Sequence, residues 1–122
     1  MPIYEIRVRS RFEAAHHLTS YRGAPEPAHG HSWEVEVEVA CPELDEDGLG
    51  VDFVELKSSL DALAQRLHGH DINEVVPFDN LSPSAENLAR WFFEELTAAL
   101  PGVPLASLTV WEAPGCSVTY RP

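Results

Sequence analysis

The chain is short of cations, short of cysteine and free of long apolar runs, and each shortage removes a class of function. Only 8 lysines and arginines stand against 20 aspartates and glutamates, a formal net charge of −12. Nucleic acid and anionic membrane surfaces are thereby excluded as partners, because affinity for both rests on clustered Lys and Arg. Two cysteines, Cys41 and Cys116, cannot build a disulfide framework, and neither sits in a CxxC pair. They read as free thiols of a reducing compartment. No stretch approaches the roughly 18 apolar residues of a membrane span. The first ten residues alternate polar with apolar and carry three charges, unlike a signal peptide, so the expected address is cytoplasmic.

What is present suffices for one domain over residues 1–122, since 44% hydrophobic residues can bury a core without staples. Residues 3–12 read as a strand, with Tyr4, Ile6, Val8 and Phe12 on one side and Arg7, Arg9 and Arg11 on the other. Residues 32–40 repeat the period of two: Trp33, Val35, Val37 and Val39 face one way, Glu34, Glu36 and Glu38 face water. A Gly- and Pro-rich loop joins them. After an acidic turn and a short extended piece at 51–53, the spacing of Leu56, Leu60, Leu63 and Leu67 predicts a helix over 54–67, capped by Asp52 with Glu55. A second helix is expected to start at Ser82-Pro83 and to end before Pro101. Residues 106–112 and 116–121 complete a second hairpin around Pro114-Gly115. The order ββααββ predicts an α+β fold: a four-stranded, largely antiparallel sheet with both helices on one face. Open sheet edges then favour oligomerisation by strand pairing.

Four of the six histidines fall between positions 16 and 31. His29 and His31 share one face of an extended strand, and Trp33 and Val35 continue that face. His16, at the end of the preceding strand, is placed to supply a third nitrogen. Three neutral imidazoles leave one position open, the arrangement of catalytic rather than structural zinc. Spacing alone leaves ordinary hydrogen-bonded histidines as the alternative, since His-x-His is only moderately specific.

Phe12-Glu13-Ala14-Ala15-His16 with His29-Gly30-His31-Ser32 resembles the zinc signature of the 6-pyruvoyl-tetrahydropterin synthases and the related 6-carboxy-tetrahydropterin synthases. The likeness continues through Gly50-Val51-Asp52-Phe53, Glu55-Leu56-Lys57, Pro83-Ser84-Ala85-Glu86-Asn87-Leu88 and Val110-Trp111-Glu112. It implies the tunnelling fold (T-fold), zinc on His16, His29 and His31, and a homo-oligomer, often a hexamer. It also implies a pterin held by Glu112, whose carboxylate can accept two parallel hydrogen bonds, and touched by Ser84 across a subunit boundary. His17 does not match and reads as a solvated loop residue.

The departures lie in the proton-transfer groups. Family members carry a cysteine just before His-Gly-His, where this chain has Ala24-Pro25-Glu26-Pro27-Ala28. The family's Asp-His pair after the first helix falls on His68 and Gly69, with His70-Asp71 offering the same residue types reversed and shifted by two. Glu26, three residues before His29, matches a branch of the family, the type-III enzymes, that places a glutamate there. Those enzymes cleave the side chain of dihydroneopterin triphosphate to give 6-hydroxymethyl-dihydropterin. Glu26, or His70 with Asp71, is thus the candidate proton shuttle. The expectation is an enzyme, a zinc-dependent lyase on a dihydropterin side chain. The alternatives are a pterin- or purine-binding homologue without that chemistry, and a structural metal module. Sparse cations count against a triphosphate substrate, since only Arg22 lies in the loop near the histidines unless Arg7, Arg9, Arg11 or a neighbouring subunit contribute.

Overall fold

The computed structural model describes residues 2–122. Strands β1 (Tyr4–His16) and β2 (His29–Cys41) form a long antiparallel hairpin, with Tyr4 opposite Cys41 at one end and His16 opposite His29 at the other. Then come α1 (Phe53–Leu67), a 3₁₀ turn (Ile72–Glu74), α2 (Ala85–Ala99), β3 (Leu105–Ala113) and β4 (Cys116–Tyr120). The sheet runs β1-β2-β3-β4, every neighbour antiparallel. This is the ββααββ order expected from the hydrophobic periods.

Alternation decides the two faces of the sheet. Trp33, Val35, Val37 and Val39 of β2 are wholly buried, and α1 lays Leu56, Leu60, Leu63 and Leu67 against the same core. Helix α1 lies over β1, and α2 lies over β3 and β4. Phe12 stacks on Trp33 with ring centroids 5.8 Å apart and meets Phe92 of α2 at the same distance. Each such side chain contributes about 1.5–3 kcal/mol on full burial. The other face carries a ladder in which Arg7, Arg9 and Arg11 oppose Glu38, Glu36 and Glu34. Glu38 departs from the expectation that it faces water. It is buried, accepting from Ser107 Oγ at 2.8 Å and from Arg7 at 3.2 Å.

Both strands of the first hairpin run further than periodicity indicates, carrying His16, His29 and His31 within regular β pairing. The extension is held from outside: residues 68–73 run alongside the end of β1 and close its edge. Gly69 N–H donates to Glu13 O, Ala15 N–H to His70 O, and Ala15 bridges Asp71 in parallel. The His68 ring finishes one end of this row, its Nδ1 accepting from Glu13 N–H at 3.0 Å. Asn73 finishes the other, accepting from His17 N–H at 2.9 Å and donating to His17 O at 3.0 Å. Helix α2 begins later than Ser82-Pro83 suggests. Ser84 is the cap, its Oγ accepting from Asn87 N–H at 3.1 Å, and that shift frees the Pro83 carbonyl for the site.

Candidate metal centre

The paired ends of β1 and β2 bring three imidazoles together. His16 stands directly opposite His29, and His31 lies opposite Ala14, one side chain deeper on the same face. Trp33 floors the group, its ring perpendicular to those of His16 and His31 at centroid distances of 4.8 and 5.5 Å. Trp33 is itself fixed by a hydrogen bond from its Nε1 to Ala14 O at 3.1 Å. Glu112 arrives from the end of β3. His16, His29, His31 and Glu112 each offer one ligand atom, and these four atoms all lie within 4.8 Å of one another.

The outer nitrogens decide what the inner ones can do. His16 Nδ1 lies 2.8 Å from Pro83 O, and His29 Nδ1 lies 3.1 Å from Pro27 O. A carbonyl only accepts, so each Nδ1 carries the hydrogen, and in a neutral ring each Nε2 is left with a lone pair. Yet the two Nε2 atoms face one another at 3.1 Å, with Glu112 Oε1 at 2.7 Å from that of His16. Three acceptors converging in this way are satisfied by a shared proton or by a metal cation between them. His31 adds a fourth: its Nε2 is buried without a hydrogen-bond partner among the described residues, 3.4 Å from Glu112 Oε1. Burial pushes the His31 pKa below 6.5, outweighing the opposite pull of Glu112, so the neutral, ligating form is favoured.

Distances fit the same conclusion. Zinc bonded to nitrogen and oxygen at about 2.0–2.1 Å holds tetrahedral ligands roughly 3.4 Å apart. The separations from Glu112 Oε1 to the three imidazoles and between His16 and His29 run from 2.7 to 3.9 Å, and all four ligand atoms lie within 4.8 Å of one another. Carbonyl partners on the outer nitrogens are usual for a metal-bound histidine, fixing the ring's tautomer and orientation. The residues present therefore suit a divalent metal of the zinc class.

The remaining expected site residues are placed unequally. Glu26 comes close, with Oε1 3.8 Å from His29 Nε2, but the same oxygen accepts from Leu18 N–H at 2.9 Å, tying the 17–28 loop shut. His70 and Asp71 line an open cavity of about 460 Å³ that His31 also borders. The Asp71 carboxylate is engaged there, accepting from Asn73 N–H at 3.0 Å. Ser84 sits one residue after Pro83, its hydroxyl oxygen accepting the cap hydrogen bond from Asn87 N–H and its O–H still free to donate. His17 stands outside the metal group, half-buried against Asn73 rather than solvated. Arg7, Arg9 and Arg11 lie on the far face of the sheet in the glutamate ladder, which leaves Arg22 as the loop's cation, beside the Tyr21 ring at 5.4 Å. The carbonyls of Pro27 and Pro83 and the clamp by His68 and Asn73 carry no motif, and only folding reveals them.

A family model described as 6-pyruvoyl tetrahydropterin synthase matches residues 5–122. Among curated proteins, the chain is similar to the 6-carboxy-5,6,7,8-tetrahydropterin synthase of Synechocystis sp. The two are 36% identical over 115 residues, covering 89% of this chain and 86% of that one. Among solved structures, it is similar to the Caenorhabditis elegans 6-pyruvoyl tetrahydropterin synthase, with a TM-score of 0.85 at 24% identity, over 100% of this chain and 97% of that chain. It is also similar to a Plasmodium vivax 6-pyruvoyltetrahydropterin synthase in which a catalytic glutamate is replaced by alanine. There the TM-score is 0.79 at 20% identity, over 100% of this chain and 99% of that chain.

Proposed function

The chain belongs to the 6-pyruvoyl tetrahydropterin synthase family, and from that premise we propose that it is a zinc-dependent lyase acting on the side chain of a dihydropterin such as dihydroneopterin triphosphate. The observation that carries the proposal is the convergence of His16, His29, His31 and Glu112 on one point, with the imidazoles' outer nitrogens tied to backbone carbonyls. His16, His29 and His31 hold the metal. Bound zinc supplies Lewis acidity, drawing electron density from a side-chain oxygen and so acidifying the neighbouring C–H. Glu112 accepts the ring N–H and exocyclic amino hydrogens of the pterin, which orients the side chain toward the histidines. Ser84 adds a contact at the α2 N-terminus, by way of a neighbouring subunit in a hexamer.

Glu26 moves the proton. Its carboxylate is only 18% exposed and lies at the metal's mouth beside His29; a glutamate is likewise the catalytic residue replaced in the Plasmodium vivax relative. The expected product is 6-hydroxymethyl-dihydropterin. His70 and Asp71 are the second candidate shuttle, with Asp71 Oδ1 accepting from Asn73 N–H and Oδ2 left for proton transfer. Arg22 is the cation that meets the phosphates. The chain has no helix, among the described residues, long and apolar enough to cross a membrane, and its free Cys41 and Cys116 suit a cytoplasmic protein.

A second reading, a pterin-binding homologue without lyase chemistry, is favoured by one specific observation. His68, at a relay position of the family, uses its Nδ1 to accept Glu13 N–H and serves the sheet edge. Incubating zinc-loaded protein with dihydroneopterin triphosphate and identifying the products separates the two. Release of 6-hydroxymethyl-dihydropterin supports the lyase. Bound, unchanged pterin supports the binder and removes the lyase.

A further inference from the structure

We propose that Glu112 is an exchangeable ligand: in the resting protein its carboxylate closes the metal group, and it leaves for the ring N–H groups when a pterin binds. The proposal rests on the preceding reading of His16, His29 and His31 as metal ligands and of Glu112 as the pterin acceptor. Its own basis is where Glu112 sits and how it is held. Glu112 Oε1 lies 2.7, 3.4 and 3.9 Å from the Nε2 atoms of His16, His31 and His29, separations that suit a fourth ligand beside the three imidazoles. No hydrogen bond from any other described residue ties that carboxylate elsewhere. Three imidazole nitrogens and one carboxylate oxygen make a complete tetrahedral donor set.

Backbone pairing makes the exchange feasible. Trp111 pairs with Ser117 and Ala113 with Cys116, so Glu112 is the extra residue of a β-bulge and has no opposite number on β4. On its other side the β2 ladder ends with Glu34 opposite Trp111. Glu112 is therefore free of regular strand partners on both flanks, which is where bulges re-aim a side chain. It stays on the core face, in step with Leu108 and Val110, so turning the side chain leaves the rest of β3 in register. Its side chain is 34% exposed, against 2% for His16, and can reach an incoming ring from the mouth of the site.

The consequence is that recognition and activation are one event. While Glu112 is a ligand, its charge offsets the metal's and it fills the fourth position. A pterin presents the paired N–H donors that a carboxylate prefers to share. When Glu112 turns to them, it withdraws a negative charge from the metal group and vacates the position that a side-chain oxygen of the same molecule can take. A diol without the ring cannot draw Glu112 away and stays unreacted.

Linkage gives a test without turnover. Pterin lacking any side chain displaces Glu112 but brings no oxygen to replace it, so metal and ring must oppose each other. Fluorescence titration should show unsubstituted pterin binding about tenfold or more weakly to zinc-loaded than to zinc-free wild type, and pterin should weaken zinc by the same factor. In the cobalt(II)-loaded protein, both adding pterin and the Glu112→Ala substitution should change the visible absorption bands that report the ligand set. Equal or tighter pterin binding with zinc present, together with cobalt bands indifferent to Glu112→Ala, would overturn the exchange while leaving Glu112 as a plain pterin acceptor. Undiminished pterin affinity in metal-free Glu112→Ala would instead remove the acceptor role itself, and the exchange with it. The wild-type titration needs no variant, so a poorly folding substitution does not spoil the test.

Discussion

At the scale of single residues, the proposed site divides into groups to hold the metal, groups to recognise the pterin and groups to move protons. His29, a proposed metal ligand, is more exposed than His16 and contributes nothing to the apolar core. His29→Ala should lose most of its zinc by elemental analysis while keeping the wild-type circular dichroism spectrum, because the proposed metal group lies at the sheet end, outside the apolar core that folds the chain. Wild type without metal after zinc loading would sink the proposed centre. Glu112 is the proposed pterin acceptor, and Glu112→Gln should weaken pterin binding by about 1.5–3 kcal/mol, the value of a charge-assisted hydrogen bond; fluorescence titration checks it. Glu26 has two jobs that substitution separates, since its Oε1 both faces His29 and anchors Leu18 N–H. Glutamine keeps the acceptor for Leu18 but is no base. Turnover should therefore fall about 100-fold or more in Glu26→Gln as well as in Glu26→Ala. A Gln variant near wild-type turnover would mean that Glu26 only anchors the loop.

At the scale of elements, short polar contacts fasten helices to the sheet end that carries the site. Ser84 caps α2, and Ser84→Ala should cost about 1 kcal/mol of stability in urea denaturation. The same change shifts the Pro83 carbonyl that holds His16 Nδ1, so a modest loss of zinc affinity should accompany it. On α1, burial works against the Asp61 carboxylate, but hydrogen bonds from Lys57 and from buried Ser10 outweigh it and hold its pKa below the ordinary 3.8. A carboxyl depressed by folding contributes stability above its unfolded pKa, and that contribution is lost as pH falls through the folded value. Unfolding followed from pH 5 downward should show wild type losing stability below about pH 3.8, with a shallower loss in Asp61→Asn. Identical slopes would assign the acid sensitivity to other carboxylates.

At the scale of the whole molecule, the unsolved surfaces are the sheet edges. Residues 68–73 cover β1 only near Glu13 to His17, leaving Tyr4 to Phe12 of the strand as an open edge. Exposed Phe53 and Val54 stand beside Val8 there, around a cavity of about 600 Å³. Edges of this kind are normally paired or covered, and a closed ring of copies satisfies both edges at once. Sedimentation equilibrium should therefore give a mass well above the 13.5 kDa chain, near six copies if the family's common assembly applies. A 13.5 kDa species at all concentrations would exclude assembly and with it any Ser84 contact across subunits.

The sequence by itself determined the elements and the chemistry they carry. Periods of two and 3.6 gave the order ββααββ because one face of each element must be buried, and His-x-His on a strand necessarily aims two imidazoles the same way. His16, His29 and His31 could be named as candidate ligands from residue type, spacing and family resemblance, but Glu112 was legible only as a pterin acceptor, and its place beside the three imidazoles was not. Only the tertiary structure decided which atoms face one another. Glu38 reads as a solvent-facing strand position, yet Ser107, from a strand 69 residues away, buries and satisfies it. His68 falls on a family relay position that the sequence reads as altered, and the chain reversal after α1 lays it on the edge of β1, where an unpaired N–H needs an acceptor. The carbonyls that set the histidine tautomers belong to Pro27 and Pro83, whose side chains give no sign of the role. Side-chain pattern encodes burial, which is local and periodic. Backbone carbonyls, bulges and edge contacts are common to every residue type, and their use is settled only when distant segments meet.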